Sequence, residues 1–277
     1  MHNEKRYANL VFYLETCFSG SMFNNLLPED INVYALTAAN PYHSSYACFC
    51  EEGFAKGLHC LGDCFSYAWI SDSTWSDPKS ETLQEQYEIV KEETTSSIVS
   101  RYGQMSIREK PIAEFQGPKP INPPIFNVVS GDTTFFTKTR WPSDDVPIMY
   151  ADYQLRRLER MNASPQLWIR KSVELRNMKT KRSFVDDFMQ YFVKGLVHDS
   201  KLAEGIITNR ETPITKFDCH EAVVTQFMTQ CFRISEDPYV LSKLYVLVNL
   251  CESGIDAHRI IDHMKLSCPY VNVHGIV

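Results

Sequence analysis

The chain has 277 residues, 44% of them hydrophobic, and 28 Lys+Arg against 34 Asp+Glu give a formal charge of −6. That length supports one or two domains with a core, and an acidic balance with no basic patch argues against nucleic acid as a partner. No apolar run is long enough to span a membrane, and the polar opening MHNEKRYANL carries no secretory signal.

Leu10–Leu14 (LVFYL) predicts a buried parallel strand, apolar throughout with β-branched and aromatic members. It runs into Glu15-Thr16-Cys17-Phe18-Ser19-Gly20-Ser21, a small and polar stretch suited to a tight turn. Ligands of open α/β sheets bind beyond the carboxyl ends of strands, so Cys17 stands where a nucleophile would; a buried structural thiol is the competing reading. Asn32–Ala39 predicts a second strand, followed by the loop ANPYHSSY. Cys48, Cys50, Cys60 and Cys64 cluster next, at spacings that do not match a paired CxxC zinc site, and no metal or other cofactor is expected. The segment SETLQEQYEIVKEETTSSIVSRYG predicts a long amphipathic helix over 80–103, with Ser80 as N-cap and Gly103 as stop. MSIREKPIAEFQG then reads as one more strand or edge segment. This alternation predicts a parallel sheet flanked by helices.

Between 118 and 147 lie five prolines after Gly117-Pro118, and periodicity is lost; the stretch reads either as an exposed linker open to proteolysis or as an ordered surface loop. From 148 onward the pattern is helical: YADYQLRRLERM, RSFVDDFMQYFVKGLV, CHEAVVTQFMTQCFRI, PYVLSKLYVLVNLCESG closed by Gly254, and DAHRIIDHMKLSC. Cys219, Cys231, Cys251 and Cys268 in this half read as two disulfides and an oxidising compartment, with all three pairings open. Each bridge would stabilise by roughly 3–4 kcal/mol for loops of this size.

The blocks LVFYLETCFSGSMF, INVYALTAANPYHSSYAC, LGDCFSYAWISD, ETLQEQYEIVK, EFQG, HEAVVTQFMTQCF and LYVLVNLCE, in that order along nearly the whole chain, together resemble the legumain family of asparaginyl endopeptidases. The resemblance implies an α/β caspase-like protease domain, with residues 1–117 as its C-terminal half, a Pro-rich linker and activation peptide over 118–165, and an all-α, disulfide-bonded prodomain over 166–277. It implies a cysteine endopeptidase that cleaves after Asn, more slowly after Asp at acidic pH, made as a zymogen with its own prodomain as inhibitor. Cys17 would be the nucleophile and contribute its N–H to the oxyanion site; Glu15, Ser45 and Asp63 would line the specificity pocket. Read without the resemblance, those three are a strand-end charge, a loop cap and a turn residue. The implied disulfides are Cys219–Cys251, Cys231–Cys268 and, as in some branches, Cys50–Cys60, leaving Cys48 and Cys64 free and buried. Activation cleavage would fall after Asp144, Asp145 or Asn162, and Asn162-Ala163-Ser164 is also a glycosylation sequon. Expected partners are Asn-containing proteins and peptides, and cystatin-type inhibitors; the expected location of the full-length protein is lysosomal, endosomal or secreted.

Two departures stand out. The family carries a His-Gly pair upstream of the nucleophile strand, and among the chain's eight histidines only His274, in the C-terminal tail, precedes glycine. The expectation is a chain that begins inside the protease domain, without signal peptide or catalytic histidine, and is inactive by itself. Phe18 replaces an acidic residue that would pair with the prodomain near Ser242 and Lys243, predicting a more apolar, less pH-sensitive latch. A catalytically dead relative acting as an inhibitory module and an Asn-specific peptide ligase are the competing functions; the four-cysteine helical half argues against the lipid-anchor transamidase.

Overall fold

The computed structural model describes residues 1–50, 59–118, 139–268 and 274–277. It divides into two compact units, Met1–Val146 and Pro147–Val277. The first unit is built on β2 (Val33–Thr37), all five of whose residues are buried, within the strand expected over Asn32–Ala39. On one side β2 pairs in parallel with β1 (Leu10–Leu14), Leu10 opposite Val33 and Leu14 opposite Thr37. On the other it pairs antiparallel with β5 (Ser100–Gly103). The expected all-parallel sheet is therefore mixed. The correction follows from residues 100–103, which belong to a strand rather than to the end of a helix.

The helix itself, α2, spans Leu83–Glu93. Thr82, not Ser80, caps it: the Thr82 hydroxyl accepts from the Glu85 N–H while the Glu85 carboxylate accepts from the Thr82 N–H. Its Leu83, Gln86, Tyr87 and Val90 are buried, the i, i+3, i+4, i+7 stripe of a core-facing helix. It stops at Thr94, where Thr-Thr-Ser-Ser begins and the Ser97 hydroxyl donates to the Ala38 carbonyl. Residues 105–117 form a 3-10 turn and a short helix, α3 (Ala113–Gln116), where a strand or edge was expected. Together with α1 (Cys64–Trp75), these elements cover the sheet around Tyr34, Leu36, Phe65, Ala68, Leu83, Tyr87 and Ile112.

A second small sheet in the same unit has β3 (Tyr46–Cys48) at its centre, antiparallel to β4 (Gly62–Asp63) and to β6 (Arg140–Pro142). Most of the stretch read as a linker, 119–138, lies outside the described residues. Its far end does not behave as a linker: residues 140–142 are a paired strand, and α4 (Val146–Arg160) follows at once.

The second unit is helical. It continues α4 into α5 (Pro165–Leu196), capped by Ser164 with Pro165 in the first turn. Then come α6 (Ser200–Thr208), α7 (Phe217–Gln230), α8 (Pro238–Leu241), α9 (Tyr245–Glu252) and α10 (Ala257–Ser267). Its core gathers Val185, Phe188, Phe192, Val223, Phe227, Leu247, Leu250, Ile260 and Met264. The single helix expected over 238–254 is two, because residues 242–244 turn and the Ser242 hydroxyl donates to the Tyr239 carbonyl. Gly254 takes φ +83 just past α9, the left-handed ending that glycine permits. Cys219–Cys251 ties α7 to α9, and Cys231–Cys268 joins the ends of α7 and α10. Among the described residues no helix is long and apolar enough to cross a membrane.

Candidate active site

Cys17 lies at the carboxyl ends of the parallel strands β1 and β2, on a turn built by its neighbours. Phe18 adopts φ +58 and donates its N–H to the His43 carbonyl at 2.8 Å. The Ser19 hydroxyl accepts from the Ala39 N–H at 2.9 Å and donates to the Ala39 carbonyl at 3.1 Å, both ends buried. Gly20 must be glycine for space: a Cβ there would sit 2.3 Å from the Tyr102 hydroxyl and 2.7 Å from the Pro41 nitrogen. This small-residue turn pins the Cys17 loop to the end of β2.

Around the thiol the structure assembles a chain of polar contacts. Cys17 Sγ lies 3.7 Å from Ser45 Oγ; Ser45 Oγ donates to Ser143 Oγ at 3.2 Å, and Ser143 Oγ to Asp63 Oδ1 at 3.2 Å. Glu15 enters from the end of β1, its Oε2 accepting the Ser66 N–H at 2.8 Å from the first turn of α1. Glu15 Oε1 is buried with no hydrogen bond of ordinary length. Glu15 and Asp63 are thus two acids around one small space. Burial, set against the Ser66 N–H and reinforced by Asp63, pushes the Glu15 carboxyl up to about 7. Burial also pushes the Cys17 thiol up, and the Asp144 carboxylate pushes it further; the Ser45 hydroxyl and the N–H groups of Ser45 and Asp144 pull it partly back.

Cys17, Glu15, Ser45 and Asp63, separate in the sequence, therefore meet. Ser143 and Asp144 join them, with the Ser44 hydroxyl donating to Asp144 Oδ2 at 3.0 Å. The bridging role of Ser143 had no sequence signal: its partners Ser45 and Asp63 lie 98 and 80 residues away. What brings it there is β6, which runs antiparallel on β3 and delivers Ser143 to Ser45 and Asp63, with the Ser143 N–H on the Ser45 carbonyl at 2.9 Å. Asp145 follows, its N–H on the Pro142 carbonyl. Asn162 sits elsewhere, exposed in the helical unit between α4 and α5 with φ +46, and Ser164 of its sequon caps α5. Cys50–Cys60 is a disulfide, and Cys17, Cys48 and Cys64 are free, the last two buried.

Residues 1–118 match the family model described as the peptidase C13 family, and residues 173–268 match that described as the legumain prodomain. Among curated proteins the chain is similar to legumain of Mus musculus (38% identity over 276 residues, 97% of this chain and 59% of that protein) and of Homo sapiens (36% over 280 residues, 98% and 59%). It is also similar to the hemoglobinase of Schistosoma japonicum, 34% identical over 269 residues, covering 97% of this chain and 60% of that protein. The chain thus spans about 59% of the length of the legumains it matches. A caspase-like segment carrying Cys17 followed by a disulfide-bonded helical prodomain places the chain in the legumain family of C13 peptidases.

Proposed function

We propose that the chain carries the nucleophile and specificity pocket of a cysteine-type endopeptidase that cleaves after Asn, more slowly after Asp, and that it is held in a latent form. Cys17 is the attacking sulfur: its thiolate adds to the scissile carbonyl, the amine leaves, and water releases the acyl group. Backbone N–H groups, including that of Cys17, receive the oxyanion. Glu15, Ser45 and Asp63 hold the side chain before the cleaved bond. The observation that carries this reading is the buried Oε1 of Glu15, without a hydrogen bond of ordinary length, close to Asp63 and the Ser45 hydroxyl. An Asn side chain presents two N–H donors and one carbonyl acceptor, and it suits a space walled by carboxyl oxygens and hydroxyls. With its carboxyl near 7, Glu15 is protonated in an acidic compartment and turns one oxygen into a donor. That suits a lysosomal or endosomal protein, and a similar rice protein is named a vacuolar-processing enzyme.

Latency has support at the thiol. The groups that set its proton affinity are its own burial, Asp144 and Ser45, and together they raise it, so the sulfur stays protonated where the pocket would work. Ser143 already holds Ser45 and Asp63, two of the three residues assigned to the pocket. The helical half acts as the chain's own inhibitor, residues 118–165 as the activation peptide, and Asp144, Asp145 and Asn162 are the cleavage sites. Cystatin-type proteins are candidate external inhibitors. The 277-residue chain alone is expected to show no turnover of an Asn peptide; turnover lost in Cys17→Ala would overturn the latency. Peptide binding to the whole chain at acidic pH, read by calorimetry, tests the pocket. An Asn peptide should bind at lower concentration than its Gln or Ala counterparts, and equal binding would overturn the assignment.

A further inference from the structure

Two of the three free cysteines have no part in that chemistry, and they touch. Cys48 ends β3 and Cys64 opens α1 directly after β4. The ladder sets Cys48 opposite Gly62, so Cys64 lies two residues along, on the diagonal of the same side. Two residues in the other direction, Cys50 and Cys60 are already disulfide-bonded. Cys48 is 4% and Cys64 7% exposed, and the two side chains are in hydrogen-bond contact. Free cysteine is commonly a small buried hydrophobe, but two such thiols in hydrogen-bond contact across a short hairpin are a different object.

We propose that Cys48 and Cys64 are a redox-active dithiol that closes to a second cross-hairpin disulfide by exchange with a low-molecular-weight disulfide. The roles of the two sulfurs differ. The contact with Cys48 and the positive charge of Arg140, which pairs with Cys48 across β3–β6, hold Cys64 below the ordinary thiol range. The contact with Cys64 and its own burial hold Cys48 above it. The Cys64 thiolate therefore attacks one sulfur of glutathione disulfide, expelling one glutathione thiolate, which takes up a proton. The Cys48 sulfur, giving up its proton, then attacks the Cys64 sulfur of the mixed disulfide and expels the second glutathione. One protein disulfide forms, one glutathione disulfide is reduced to two thiols, and no other oxidant is consumed.

Access comes from fraying of β4, a two-residue strand at the edge of its sheet. The bond would clamp Asp63, which lies between Gly62 and Cys64 and pairs with Ala47. It forms without Cys17, whose sulfur contacts Ser45 instead.

The whole chain is equilibrated with mixtures of reduced and oxidised glutathione and quenched in acid. It is alkylated in denaturant with one isotopic label, reduced, and alkylated with a second. Under reducing mixtures Cys48 and Cys64 should carry the first label while Cys50 and Cys60 carry the second. Under oxidising mixtures both should shift to the second label together and in equal amount, without retained glutathione. Chymotryptic cleavage after Phe49 and Leu61 separates Cys48 from Cys50 and Cys60 from Cys64, and a Cys48–Cys64 peptide should appear before reduction. Persistence of the first label on both, a stable glutathione adduct on either, or a link from either to Cys50 or Cys60 would overturn the proposal. In Cys48→Ser the glutathione should remain on Cys64; recovery of unmodified Cys64 there would also overturn it.

Discussion

Glu15 decides how the pocket responds to pH. Its carboxyl stands at about 7 instead of 4.5 because the fold removes it from water next to Asp63. A raised carboxyl pKa means that the folded state prefers the protonated form. The contribution of Glu15 to stability is therefore most favourable below about 4.5, falls as pH rises to about 7, and is level above it. At 1.36 kcal/mol per pKa unit the difference approaches about 3 kcal/mol, an upper figure for a group only partly shielded. Glu15→Gln, which cannot ionise, should raise the melting temperature at pH 8 and flatten its slope between pH 5 and 7. An unchanged pH profile in calorimetry would contradict this. Cys17 supplies a second residue-scale test. Iodoacetamide should reach it appreciably only above the ordinary thiol range, and Asp144→Asn should move the midpoint of that rate profile down, because it removes the neighbouring negative charge.

At the scale of elements, caps and buried amides matter more than helix propensity. Thr82→Ala removes the hydroxyl half of the reciprocal Thr82–Glu85 cap of α2, whose buried stripe packs on the sheet, and keeps the backbone N–H bond to the Glu85 carboxylate. Denaturant unfolding should register a loss of about 1 kcal/mol. In the helical unit, Asn249 interrupts an apolar face of α9 for a reason. Its amide donates to the carbonyls of Ile206 at 2.8 Å and Asn209 at 2.6 Å, which α6 leaves open at its end. Asn249→Leu keeps the volume but strands those carbonyls, and should destabilise by about 1–3 kcal/mol. The segment LYVLVNLC is legible as core from its run of apolar residues, but its single amide makes sense only beside the end of α6.

At the scale of the whole molecule, the two units rest on different devices. The first relies on a mixed sheet whose middle strand is fully buried. The second relies on an apolar helical core with two disulfides spanning 32 and 37 residues. Replacing Cys219 and Cys251 by Ala should lower the stability of the helical unit by about 2–5 kcal/mol, read from its own unfolding transition. In Cys231→Ala with Cys268→Ala the loss should be of the same order, because the closed loops are of similar length.

Local patterns in the chain were enough to place β1, β2, the core stripe of α2, the strand-end position of Cys17 and the helical character of everything after residue 148. Burial of a strand or of one helix face leaves its period in the sequence, and a strand-to-turn junction leaves its small residues. The resemblance to the family, not any local pattern, singled out Glu15, Ser45 and Asp63, which the structure gathers beside Cys17. Other features depended on partners far away in sequence. Residues 100–103 are a strand because β2 offers them a free edge, not because of their own composition. Residues 140–142, which look like linker, pair with β3 and carry Ser143 into hydrogen bonds with Ser45 and Asp63. The raised Glu15 carboxyl and the contact of Cys48 with Cys64 likewise arise only when separate segments share a space that water leaves. Periodicity records which side of an element is buried; which neighbour buries it is settled by tertiary packing.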